Sequence, residues 1–75
     1  MLEATLSEYV TRVREYLYSP EGMRNRRSLM QGRGYSYKRF VLESVCYVTR
    51  LVKLEHVLAV ADRVLSEELS GEAVA

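Results

Sequence analysis

Six of the chain's eleven lysines and arginines fall in one stretch, Met23–Phe40 (MRNRRSLMQGRGYSYKRF): Arg24, Arg26, Arg27, Arg33, Lys38 and Arg39. No Asp or Glu lies between Glu21 and Glu43, yet the formal charge of the whole chain is only +1. The positive charge is therefore concentrated rather than general. Tyr35, Tyr37 and Phe40 are interleaved with the cations, and Gly32 and Gly34 loosen the backbone between them. Guanidinium forks match phosphate oxygens in geometry, and tyrosine rings stack on bases or on guanidinium planes. The chemistry this pattern offers is the binding of nucleic acid, with Arg24, Arg26, Arg27, Arg33, Lys38 and Arg39 on phosphates and Tyr35 and Tyr37 packing on sugars or positioning the arginines. Two other readings of the same residues are a solvated basic loop and a surface for an acidic protein or an anionic membrane.

Little else in the chain is equipped for chemistry. Cys46 is the only cysteine and His56 the only histidine. Together they exclude an internal disulfide and cannot build a zinc site within one chain. Cys46 has no second histidine or asparagine to form a nucleophilic constellation and reads as a small buried core residue. Gln31-Gly32-Arg33-Gly34 lacks the Lys-Ser/Thr of a phosphate-binding loop. The Arg50-x5-His56 spacing is similar to the motif of HEPN ribonucleases. Those domains are longer, however, and the residue after the arginine is usually polar where this chain has Leu51, so a chance pair on a charged helix is the reading adopted. The expectation is a non-enzyme with no cofactor and no metal.

The elements that would hold the basic segment are helical. Leu2, Leu6, Tyr9, Val10, Val13, Tyr16 and Leu17 recur at three- and four-residue spacing, which predicts an amphipathic helix over Leu2–Tyr18. Ser19-Pro20 interrupts it, and Ser19 can cap a short second helix from Pro20 to about Gln31. Only Met23, Leu29 and Met30 give that helix an apolar stripe, so an irregular loop is the competing prediction. From Ser36, a plausible N-cap, one long helix of about 50 Å is expected to reach Leu69, with Gly71 beyond its end. Val45–Thr49 has strand-like composition but no period-two alternation and no partner run. The long helix carries two apolar series, Tyr47, Leu51, Leu54, Leu58, Ala61, Leu65, Leu69 and Val41, Val45, Val48, Val52, Val57, Val60, Val64. On one continuous helix the apolar centre shifts by a quarter turn between its halves. One short helix cannot cover both faces, and the remaining face is assigned to other copies of the chain through Val48, Leu51, Leu54, Leu58 and Leu65.

Seventy-five residues suffice for one all-α domain with a small core, and oligomerisation is a common supplement at that size. No apolar run is long enough to span a membrane and no signal peptide is evident, so the expected location is a virion or the cell interior. In layout, the helix Leu2–Tyr18, the bend Arg24–Arg39 and the long Val/Leu helix resemble the small helical capsid subunits of rod-shaped and filamentous viruses of hyperthermophilic archaea, particularly the short bacilliform type. That resemblance implies a helical hairpin forming a virion shell around double-stranded DNA, with the bend lining the lumen. The alternative is a small dimeric DNA-binding regulator or chromatin protein, with Pro20–Gln31 and the long helix as a helix-turn-helix-like reader. Arg24, Asn25, Arg27, Ser28 and Gln31 would supply its contacts. Gly22 and the thin apolar stripe argue against that helix, which leaves phosphate neutralisation without sequence choice as the favoured mode.

Overall fold

The computed structural model describes residues 3–74, with side chains over 5–68, so the expected helix start at Leu2 and the side chain of Leu69 lie outside the described residues. Four helices follow in order: α1 (Glu3–Leu17), α2 (Pro20–Arg26), which continues as a π-helical turn (Arg27–Gly32), α3 (Tyr37–Thr49) and α4 (Leu54–Val74). The described residues contain no strand, and Val45–Thr49 is helical. None of these helices is long and apolar enough to cross a membrane among the described residues.

Each of α1, α3 and α4 packs against the other two. Val10, Val13 and Leu17 from α1 meet Phe40, Val41 and Val45 from α3 and Val57, Val60, Ala61 and Val64 from α4 in one core. The periodicity of α1 thus buries the face that its spacing defines. The core is largely valine, and the valine series rather than the leucine series of the second half faces inward.

The single helix expected from Ser36 to Leu69 is instead two helices. The break falls at Arg50, which adopts a left-handed conformation (φ 61°) while its N–H closes on Cys46 O at 3.1 Å. Thr49 assists: its hydroxyl donates to Val45 O at 2.7 Å and accepts from the Leu51 N–H at 3.2 Å, drawing that donor away from the helical ladder. A non-glycine residue in this conformation costs about 1–2 kcal/mol. The turn lets Val57, Val60 and Val64 bury beside Val41 and Val45, and full burial of each valine is favourable by roughly 1.5–3 kcal/mol. Burial wins. The longest dimension of the molecule is accordingly 36 Å, not the length of one long rod. At the far end α4 runs through Gly71 to Val74, beyond the expected stop.

The same turn removes the reason for assigning the second apolar face to another copy, because α1 now covers both halves. Val48, Leu51 and Leu65 are half-buried against the intramolecular core. Leu54 and Leu58 remain 69 % and 38 % exposed, next to Val52 at 93 %.

Candidate nucleic-acid interface

The basic segment is ordered from its first residue. Ser19 caps α2: its Oγ accepts from the Gly22 N–H at 3.0 Å and donates back to Tyr16 O at 2.7 Å, with Pro20 at the first helical position. Gly22 is the point of closest approach between α2 and α1. A Cβ there would lie 1.9 Å from Tyr16 O and 2.9 Å from Tyr16 C, so the two backbones can touch only because the side chain is absent. The thin apolar stripe that made this helix doubtful in sequence is thus supplemented by a cap and a backbone contact. Further ties reach the helix from its flank. Asn25 Nδ2 donates to Tyr16 Oη, Tyr47 Oη donates to Glu21 at 2.8 Å, and the Tyr16 and Tyr47 rings lie 5.4 Å apart.

Beyond Arg26 the helix widens into the π turn, a geometry that often marks functional sites. The turn ends where the N–H groups of Arg33 and Tyr35 both donate to Leu29 O, at 3.2 and 2.9 Å. Gly34 then takes a left-handed conformation (φ 72°) that reverses the chain. Ser36 caps α3 as its sequence position suggests, accepting from the Arg39 N–H at 3.2 Å.

All six cations, Arg24, Arg26, Arg27, Arg33, Lys38 and Arg39, are exposed. None forms an ion pair with a carboxylate among the described residues. On the α1–α4 side, by contrast, Arg14 lies 3.5 Å from Glu67 and 3.3 Å from Glu68, and Arg63 lies 3.7 Å from Glu67. The half-buried Tyr35 and Tyr37 each carry a guanidinium on the ring face: Arg39 over Tyr35 at 4.0 Å and Arg26 over Tyr37 at 5.1 Å. The second contact joins α2 to α3 across the turn. Tyr35 and Tyr37, expected to pack on sugars or to position the arginines, thus each carry one arginine on a ring face.

One of the three residues in the apolar stripe of α2 and its π turn has a different place from the one the sequence pattern suggested. Met23 is 55 % exposed rather than part of a core stripe, while Leu29 and Met30 are half-buried against the core. Met23, Arg26, Arg27, Met30 and Gln31 share one open face of α2 and its π turn, with shallow space between their side chains. The signal for the exposure of Met23 was the thinness of the stripe itself, since it stands alone among arginines a full two turns from Met30.

The remaining candidates for chemistry stay apart. Arg50 caps the end of α3, whereas His56 lies in the first turn of α4, half-exposed, with Nε2 4.0 Å from the adjacent Glu55. Cys46 is exposed on α3, not buried as expected, because the inward positions of that helix are taken by Val41, Ser44 and Val45. Two tyrosines hold their protons more tightly than usual. The hydrogen bond from Tyr18 to Glu68 (2.6 Å), then desolvation and the Glu68 charge, raise the Tyr18 pKa. The bond from Tyr47 to Glu21, then the Glu21 charge, raise that of Tyr47. Both groups serve the packing of helices rather than the basic surface.

Comparisons with protein-family models, with curated proteins and with solved structures found no match for this chain.

Proposed function

We propose that the chain is a structural nucleic-acid-packaging subunit, which neutralises phosphates without reading sequence and associates with further copies of itself. The observation that carries this is the charge distribution: six exposed cations on one capped helix–turn–helix segment, with no carboxylate partner among the described residues. Two of the guanidiniums are held on tyrosine faces, which lowers the entropy lost when they meet a phosphate. Base reading has less support. The amide of Asn25, one of the few candidate readers, is engaged by Tyr16, and the exposed positions of α3 after Arg39 are Glu43, Cys46 and Tyr47. Self-association has the exposed Val52, Leu54 and Leu58 in its favour. The hairpin of the archaeal capsid subunits and the duplex DNA that the resemblance implies belong to this proposal.

One observation favours the regulator as a second reading: the helix Pro20–Gly32 is formed and capped, and α3 follows it across a short turn. Salt titration of binding separates the two. If all six cations met phosphates of a duplex, log K against log salt would have a slope of roughly −5, a loss of about 10³-fold between 50 and 200 mM. Replacing Arg26 and Arg27 by Ala should flatten that slope by about 2 and weaken binding equally on unrelated sequences. Loss confined to one sequence would establish the regulator, and salt-independent binding would remove the phosphate reading altogether.

A further inference from the structure

We propose that this open face of α2 and its π turn is a nucleotide subsite, and that the chain consequently prefers single-stranded to double-stranded nucleic acid. This rests on the phosphate-binding reading above but replaces the duplex that the resemblance implies.

The composition of that face is the argument. It consists of two thioethers (Met23 and Met30), two guanidiniums (Arg26 and Arg27) and one carboxamide (Gln31), with no carboxylate. A nucleotide presents the complement of each: a flat polarisable face, an anionic phosphate and a base edge with donors and acceptors. Thioethers are soft and adaptable partners for ring faces, the guanidiniums match phosphate oxygens, and a carboxamide can both donate to and accept from a base edge. The parts differ in how they are held. Met30 is anchored against the core and Arg26 is held over the Tyr37 ring, whereas Met23, Arg27 and Gln31 are exposed and can close on a ligand.

One face of each tyrosine ring, the kind of surface on which bases stack in many single-strand binders, carries a guanidinium here, Arg39 on Tyr35 and Arg26 on Tyr37. An apolar surface for a base is instead offered by the methionines. A duplex offers this face its phosphates and groove edges but no base face, because its bases are stacked. An unstacked strand gains the methionine contact as well. The remaining cations of the segment, Arg24, Arg33, Lys38 and Arg39, then serve the neighbouring phosphates of the same strand.

Fluorescence anisotropy with three probes of equal phosphate number tests this: an oligothymidylate, a duplex and an abasic oligonucleotide. Wild type should bind the oligothymidylate about tenfold more tightly than either of the others at one salt concentration. Met23→Gln, at a surface position where folding is insensitive to polarity, should reduce that preference to about twofold while duplex affinity and salt slope stay unchanged. Equal affinity for the oligothymidylate and the abasic strand, or an unaltered preference in Met23→Gln, overturns the subsite but leaves phosphate binding standing. Absence of salt-dependent binding to all three probes overturns the phosphate reading and the subsite with it.

Discussion

Replacing Gly22 by Ala tests how α2, and with it half of the basic surface, is held. The new methyl would stand 1.9 Å from Tyr16 O, 2.9 Å from Tyr16 C and 3.3 Å from Leu17 Cα, all of them backbone atoms that cannot rotate away. Ordinary contact distances require α2 to retreat by about 1.5 Å or more, and overpacking of this kind typically costs 1–3 kcal/mol. Alanine is favoured over glycine within a helix by about 1 kcal/mol, partly through the unfolded chain. The steric term exceeds the propensity term here. Retreat also lengthens the Ser19 cap bond to the Gly22 N–H and the Asn25–Tyr16 contact, two ties that run across the same boundary. The net expectation is a destabilisation of about 1–2 kcal/mol, which for a domain of this size lowers Tm by roughly 5–15 °C. Urea titration should show a lower midpoint with an unchanged slope, since the folded surface is nearly the same. Affinity for nucleic acid should fall less than stability does, because the exposed cations keep their flexible reach. A Gly22→Ala variant as stable as wild type, or more stable, would refute the close approach of α1 and α2 and the account of α2 built on it.

Two further outcomes follow from the same structure. Leu54→Asp, at a position 69 % exposed, should convert assembled protein to monomer in light scattering while shifting Tm by only a degree or two; a variant that stays assembled would exclude Leu54 from the subunit contact. The raised pKa values of Tyr18 and Tyr47 mean that the stabilisation from their protonated forms is complete below the ordinary tyrosine value of about 10 and is lost as pH rises through the higher folded values. Thermal unfolding between pH 9 and 11.5 should therefore show a steeper decline in wild type than in the Tyr18→Phe/Tyr47→Phe double variant, and parallel curves would contradict the two hydrogen bonds.

The helical class, the start of α2 and the start of α3 were legible in the sequence because their signals are local. Ser19-Pro20 and Ser36 cap helices through atoms within three residues of themselves, so spacing alone identifies them. The face of α1 was legible for the same reason. What failed was the long helix, since nothing short-range forbids Arg50 from continuing it: no glycine or proline marks the turn. The decision is made by distant residues, Val57, Val60 and Val64, which reach the core only if the chain reverses. A quarter-turn shift between two apolar faces has two solutions, a partner for the second face or a break between them, and periodicity does not distinguish them. Within the basic segment, the cations were visible by type and their exposure followed. The pairing of Arg26 with Tyr37 was not, because it depends on how Gly34 directs the return of the chain, whereas Arg39 lies only four residues from Tyr35 on the same side of that turn.

The break at Arg50 has a consequence for how the two proposed surfaces relate. Lys38 and Arg39 lie in the first turn of α3, whereas Leu54 begins α4 just after the last turn of α3. Thirteen helical residues separate those ends, about 20 Å at 1.5 Å per residue. Exposed charges that far apart are beyond the screening length of about 8 Å at physiological salt, and perturbations at such separations are normally additive. A subunit could therefore hold a strand at one end of α3 and a neighbouring copy at the other, with neither contact blocking its counterpart. Leu54→Asp should accordingly leave the salt slope of the monomer's binding unchanged, and Arg26→Ala/Arg27→Ala should leave nucleic-acid-free association unchanged. If either variant altered both measurements, the two surfaces would be one, and the exposed leucines would belong to the nucleic-acid contact rather than to a separate seam.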